Sequence, residues 1–185
     1  MLEIQKVIEK FRNVVIQQAR SNLSKQKKND TKELYNSLKG EIITEKGFTI
    51  VGFSMEKYGK FQDQGVKGVD PSKVSPNAKI KGQQAPNSPF SFKTLPIPYK
   101  PLAEWAKRKN LRLRDKKGRF VKGSYTTIGI IIARNIFYRG IKPSLFFTAP
   151  FESAYKKYID TDLIKAFGQD IDIIIDDSLK NIKWK

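Results

Sequence analysis

The hydrophobic positions near the N-terminus recur at spacings of three, four and seven residues. This period predicts one long amphipathic helix over residues 2–27, because such positions share one helix face. Its apolar positions are Ile4, Val7, Ile8, Phe11, Val14, Val15 and Leu23. After it, Asp30 and Glu33 are typical of an N-cap and its capping-box partner. They predict a short second helix, which Gly40 would end.

The pattern then changes from helical to alternating. Residues 41–44 and 48–53 are rich in β-branched and aromatic side chains, and three residues that include a glycine join them, which predicts a β-hairpin. Alternation puts Phe48 and Ile50 on one face of the second strand, and Val51 and Phe53 on the other. Because both faces carry apolar side chains, both are expected to be partly covered.

Helical periods return in the second half of the chain. Pro101 suits the first turn of a helix that runs to about Asn110. A further helix is expected at 125–138, ended by Gly140. Its many isoleucines favour a central position, packed with the N-terminal helix on the hairpin sheet.

The last helical region is predicted to begin at Pro150. Residues 171–175 contain four isoleucines and fit either a helix or a final strand, of which we favour the helix. The elements together predict an α+β fold. A small antiparallel sheet packs against a long N-terminal helix and C-terminal helices, and long loops are inserted.

One of these loops is the arm (residues 66–98), in which proline and glycine interrupt every period. A loop of this length within a compact domain is usually functional or disordered. Two interpretations remain open, a surface excursion and an extended arm that clasps a neighbouring subunit. The second predicts inter-subunit contacts at Pro86, Pro89, Phe90, Phe92, Pro96 and Pro98.

Composition removes much of the catalytic repertoire, because the 185 residues include no histidine and no cysteine. The commonest general base, the thiolate nucleophile and thiolate metal sites are therefore excluded. We predict no enzymatic activity, no cofactor and no metal site. No apolar run approaches the length that spans a bilayer, so no membrane partner is expected.

The net charge of +18 favours a polyanionic partner. Nine lysines and arginines lie between residues 107 and 122 against one acid, Asp115. We name residues 111–123 the basic hairpin. Its predicted DNA-facing or acidic-partner-facing residues are Arg112, Arg114, Lys116, Lys117, Arg119 and Lys122. A solvated hairpin without a partner is the alternative.

Two acidic features complete the candidate chemistry. Asp115 and Lys117 form the Asp-x-Lys fragment of metal-dependent nucleases, but no second acid has a persuasive context. The C-terminal region is rich in aspartate, and Asp172 and Asp176 are predicted to meet the basic hairpin of a neighbouring copy. A solvated helix face explains these aspartates equally well.

Three segments resemble the tail-completion or head–tail connector (neck) proteins of tailed bacteriophages. They are residues 31–38 (TKELYNSL), 58–65 (YGKFQDQG) and 140–151 (GIKPSLFFTAPF). The family has a "Thr-Gly-x-Leu-x-x-Ser" helix start, a hairpin, a "Tyr-x-x-x-x-Glu-x-Gly" stretch and a late "Pro-x-Phe-x-x-Pro-Ala" element. Here Lys32 replaces the glycine, Asp63 or Gln64 stands near the acidic position, and Ala149-Pro150 inverts the late pair.

The resemblance implies one domain over residues 1–185, with the arm and the basic hairpin as insertions. It also implies a non-enzymatic ring of copies in the virion neck or upper tail, made in the host cytoplasm. Expected partners are portal or adaptor proteins, tail proteins and packaged DNA. The alternative is a nucleic-acid-binding protein of phage or mobile-element origin, without sequence specificity.

Overall fold

The computed structural model describes residues 2–45, 48–76, 78–94, 97–115 and 117–163. They fall into two compact units. The first takes in the chain up to Gly59 and resumes at Leu145, and the second runs from Lys60 to Ser144. This division does not decide between one domain and more, so the single domain with two insertions stays a prediction.

The first unit is formed around the long helix that the sequence predicts. Its elements are α1 (Leu2–Lys25), α2 (Glu33–Ser37), β1 (Lys39–Glu45), β2 (Phe48–Ser54) and α6 (Thr148–Ala154), which continues as a π-helix over Tyr155–Leu163. The apolar face of α1 buries Phe11, Val15 and Leu23. Because these positions recur every three or four residues, burial of that face stabilises the whole helix.

Aromatic side chains fill the core of this unit. The ring of Phe11 meets those of Phe53 and Phe151 edge to face, at centroid distances of 5.9 and 5.7 Å. Phe53 also contacts Phe147 at 5.5 Å, and Phe146 is fully buried. Edge-to-face pairs at these distances add to the free energy gained from burial alone. The predicted packing of a small sheet against N-terminal and C-terminal helices is therefore confirmed.

The capping prediction for α2 is wrong. Its N-cap residue is Lys32, whose backbone is left-handed (φ 60°) and whose side chain makes no capping hydrogen bond. The other end is held from α1, where the Arg20 guanidinium donates to the carbonyl oxygens of Tyr35 and Leu38, at 3.1 and 2.9 Å. A long-range contact thus satisfies end carbonyls that the helix itself leaves unpaired.

The second unit holds the remaining elements. In chain order these are α3 (Gly59–Gln64), β3 (Val66–Lys67), a 3-10 turn (Pro71–Lys73), α4 (Lys100–Arg108), β4 (Leu113–Arg114), β5 (Phe120–Val121), α5 (Tyr125–Arg139) and β6 (Gly140–Ile141). The strands pair antiparallel, β3 with β6 and β4 with β5. Ser124 caps α5 by accepting from the Thr127 amide, at 3.1 Å.

Helix α5 belongs to the second unit, where it packs against α4. The prediction that it packs with the N-terminal helix on the hairpin sheet is therefore wrong. Gly129 explains the choice. A Cβ at this position would lie 2.7 Å from the Tyr99 carbonyl oxygen and 2.9 Å from the Ala103 Cβ. Only a residue without a side chain lets the two helices come this close.

Candidate functional site

The basic hairpin forms as the sequence predicts. Strands β4 and β5 pair Leu113 with Val121 and Arg114 with Phe120. Asp115 organises the turn, because its Oδ1 accepts from the backbone amides of Lys117 and Arg119, both at 2.9 Å. Gly118 has a left-handed backbone (φ 81°), which glycine adopts without strain.

The carboxylate of Asp115 also pairs with a cation of its own hairpin. The Arg119 Nε donates to the Asp115 Oδ2 at 2.8 Å. The hydrogen bond from the Arg119 amide is the main cause that lowers the pKa of Asp115, and the Arg119 side chain lowers it further. Asp115 is therefore a charged part of the turn.

This role bears on the nuclease hypothesis. Asp115 already accepts three hydrogen bonds within the hairpin. Over the residues that the structure describes, no group of three or more histidine, cysteine, aspartate or glutamate side chains could hold a metal ion. The Asp-x-Lys fragment thus has a structural explanation that needs no metal.

Replacing Asp115 with alanine is expected to loosen the turn, because two backbone amides and the Arg119 side chain lose their acceptor. Trypsin should then cleave after Lys117 and Arg119 several times faster than in the wild type. Glu104→Ala, which removes an exposed acid from α4, is the matched control. Equal cleavage rates in both variants would show that Asp115 does not hold the turn.

An aromatic ring lies exposed between the cations of the basic hairpin. Phe120 is 59% exposed, and the guanidinium carbons of Arg114 and Arg112 lie 4.1 and 5.8 Å from its ring centroid. Arg114 is oriented further by donating to the Gly118 carbonyl oxygen at 2.9 Å. Lys117 and Lys122 are exposed, and Lys116 lies outside the described residues. Phe120 was not among the residues predicted to face a partner.

The arm is folded against its own chain. Val69 and Asp70 donate backbone hydrogen bonds to the carbonyls of Phe137 and Tyr138, at 3.0 and 3.1 Å, and Gln84 donates to that of Arg139 at 2.8 Å. These bonds tie the beginning and the middle of the arm to the end of α5. The described part of the arm is thus held against its own chain.

Intrachain contacts also involve the two aromatic residues that were predicted to meet a neighbour. Phe90 lies 4.8 Å from Phe61, and Phe92 lies 6.1 Å from Phe137, between ring centroids. Both side chains are half-buried, while the prolines 86, 89 and 98 are exposed. A role between subunits stays a prediction. Three further predicted contact residues, Pro96, Asp172 and Asp176, lie outside the described residues.

Sequence reasoning missed an exposed apolar surface on the first hairpin. The register pairs Ile43 with Ile50 and Glu45 with Phe48, so these side chains share one face. We call this the outer face of the ribbon β1–β2, and it also carries Glu41. Ile43, Phe48 and Ile50 are each about half exposed. Both faces were expected to be partly covered, but other residues bury only the opposite face, which carries Phe53. The alternating pattern contains this signal, since it places large apolar residues on both faces.

A groove of about 840 Å³ lies in the first unit between α1 and the segment from Tyr35 to Glu41. Its cations include Arg12 and Arg20. The Arg12 guanidinium donates to the Asn13 side chain, and Arg20 holds the end of α2 and stacks on Tyr35 at 5.3 Å. Because internal contacts engage both guanidiniums, the groove has a structural explanation.

None of the described helices is both long enough and apolar enough to cross a membrane. Comparison with protein-family models, with curated proteins and with solved structures finds no match to this chain.

Proposed function

We propose that this chain is a structural protein of a tailed-phage virion. It acts in the neck or upper tail as a ring of copies that joins portal or adaptor to tail. It performs no catalysis. The support is the resemblance of three ordered segments to tail-completion and neck proteins, together with contacts that link two of those segments.

The contact between two distant segments carries the proposal. Ser144, in the segment 140–151, donates from its backbone amide to the carbonyl oxygens of Gln62 and Asp63, in the segment 58–65, at 3.2 and 2.9 Å. Gly65 follows with a left-handed backbone (φ 74°), and a Cβ there would lie 2.5 Å from the Ile141 carbonyl oxygen. Ser144 and Gln62 are 82 residues apart in the chain. A close contact over this separation has to offset the entropy of closing the intervening loop, so the two segments form one packed unit, as the resemblance requires.

The outer face of the ribbon supports self-assembly. Strands β1 and β2 pair only with each other within the described chain, so both outer edges are unpaired, and the outer face is apolar. Such a surface is a template for association. Its exposed charged residues on β1 are Glu41, Glu45 and Lys39, so acids outnumber bases on this face of a chain of net charge +18. A second copy, which presents an excess of cations, is the complementary occupant.

Ile50→Lys is expected to weaken this self-association, because it places a cation on the apolar outer face opposite a cationic second copy. Analytical ultracentrifugation should show a shift towards the monomer. Ile130→Lys is the matched control, since Ile130 is 48% exposed against 50% for Ile50 and lies on α5, outside the arm. Equal monomer fractions for the two variants would show that the ribbon does not contribute to self-association.

Electron microscopy of the purified protein and of virions tests the function itself. Rings of the protein, and antibody labelling at the neck or upper tail, are the expected result. A protein that stays monomeric at all concentrations and is absent from particles would overturn the proposal.

A second candidate function is nucleic-acid binding without sequence specificity, in or outside a virion. Exposed Phe120 between two arginines favours it, because single-stranded nucleic-acid sites combine cations with aromatic surfaces. Its test is salt dependence, since affinity for a nucleic acid falls steeply as counterions compete for the phosphates.

A further inference from the structure

We propose that the basic hairpin is a binding site for single-stranded nucleic acid. An unpaired base stacks on Phe120, and the adjoining phosphates contact Arg112 and Arg114. This inference rests on the second candidate function and names its ligand. It does not depend on ring formation, which electron microscopy tests separately.

The first argument is the exposure of an aromatic ring where no core exists. Among the large hydrophobic side chains of the described residues, Phe120 is the most exposed, at 59%. It lies on a strand of two residues and pairs across to Arg114, so its ring has no apolar layer to join. An aromatic side chain that contributes little to folding at this position is available to a ligand with a planar face.

The second argument is orientation by cations. The Arg114 guanidinium lies 4.1 Å from the Phe120 ring centroid and also donates to the Gly118 carbonyl oxygen. Because both contacts hold Arg114 in place, little further ordering is needed when it meets a phosphate. Arg112 lies 5.8 Å from the same ring. The three side chains form one surface that offers both charge and a stacking plane.

The third argument is the balance of charge. Asp115 is paired with Arg119, so the one acid of the hairpin is already neutralised locally. Within the described chain, no carboxylate pairs with Arg112 or Arg114. The hairpin therefore presents uncompensated cations beside its aromatic ring, which is the charge that a phosphate backbone requires.

The aromatic ring selects between nucleic-acid forms. In a duplex the base faces are stacked on each other, and a protein ring reaches them only after unstacking, which costs free energy. Single strands offer base faces directly, and stacking on an aromatic side chain tolerates every base. An acidic protein would use the cations equally well but would leave exposed Phe120 without a role. These features favour the single strand.

Fluorescence anisotropy of the full-length protein provides the test, with a labelled oligothymidylate of about 16 nucleotides and a duplex of equal length. Phe120→Leu keeps apolar bulk and removes the aromatic ring. It is expected to weaken single-strand binding roughly tenfold and to leave duplex binding nearly unchanged. Phe120→Trp should bind at least as tightly as the wild type. Phe48→Leu, at an exposed phenylalanine of the ribbon, is the matched control.

Arg114→Ala tests the phosphate contact. It should weaken binding to the single strand and lower the slope of log affinity against log salt by about one contact. Trypsin resistance of the hairpin, compared with wild type, shows whether each variant keeps its turn. A variant that loses the turn is replaced in the comparison by Phe120→Trp and Phe120→Tyr, which keep an aromatic ring and should retain affinity.

Three outcomes overturn the inference, each in a different way. Equal affinity for single strand and duplex, with no effect of Phe120→Leu, removes the stacking site but leaves general nucleic-acid binding. Absence of binding to either nucleic acid removes the second candidate function as well. Binding of polyglutamate with the affinity shown for the oligonucleotide, also independent of Phe120, assigns the hairpin to an acidic protein.

Discussion

Replacement of Phe146 with alanine is expected to lower the free energy of unfolding by about 3–5 kcal/mol. Phe146 is fully buried in the first unit and belongs to the same core cluster as Phe11 and Phe53. The substitution removes the transfer free energy of a ring and leaves a cavity that the surrounding helices fill only in part. Chemical denaturation followed by circular dichroism measures the loss.

The matched control is Phe48→Ala in the same unit. Phe48 is 51% exposed, so its truncation removes about half as much buried area, leaves no enclosed cavity, and should cost at most about 1.5 kcal/mol in the isolated subunit. Similar losses for the two variants would show that burial at position 146 does not dominate the stability of this unit.

The second large effect is expected at Gly140, where α5 ends and β6 begins. Its backbone has φ 89° and ψ −174°, a region open almost only to glycine. An added Cβ would also collide with the Val66 carbonyl oxygen and lie 2.6 Å from the Gly68 nitrogen. We expect Gly140→Ala to lower the free energy of unfolding by about 3 kcal/mol or more, because the costs of backbone strain and of overpacking add.

Gly82→Ala separates these two causes. Gly82 has a similar positive φ of 77°, but an added Cβ would meet nothing within 4 Å. Gly82→Ala should therefore lower the free energy of unfolding only through backbone strain, by about 1 kcal/mol. Thermal unfolding of both variants beside the wild type is the measurement. A Gly140 variant no less stable than the Gly82 variant would contradict the close packing of β3 and β6.

Periodicity predicted the elements well where it is strong. The three-and-four spacing from Ile4 to Leu23 corresponds to α1, and the alternation from Phe48 to Phe53 corresponds to β2. The expectation that both faces of β2 are partly covered is met only on the face of Phe53. Pro101 lies in the first turn of α4, and Gly140 ends α5, as expected. These signals are local, and local structure follows them.

Long-range partners could not be predicted in the same way. A period shows that α5 has an apolar face but not which helix covers it, and the small side chains at Gly129 and Ala103 decide for α4. Similarly, Asp30 has the right residue type for an N-cap, but the α2 N-cap is Lys32. The first error concerns a choice that tertiary contacts make, and the second shows that residue type alone does not fix where a short helix begins.

The candidate site was predictable in its charge and not in its geometry. Counting lysines and arginines located the basic hairpin, but the contacts of Asp115 with Lys117 and Arg119 depend on the turn conformation. The arm shows the same limit. Its anchors at the end of α5 are backbone hydrogen bonds, which leave no trace in residue type.

The discontinuity of the first unit has a consequence for biosynthesis. Phe11 and Phe53 emerge early from the ribosome, but their ring partners Phe147 and Phe151 follow only after the whole continuous stretch from Lys60 to Ser144. The second unit, which is continuous in the chain, is therefore able to fold before the first unit is complete, although domains usually form from the N-terminus onwards. During that interval the apolar face of the nascent N-terminal helix stays exposed to solvent. We therefore expect it to bind chaperones that recognise hydrophobic segments of nascent chains.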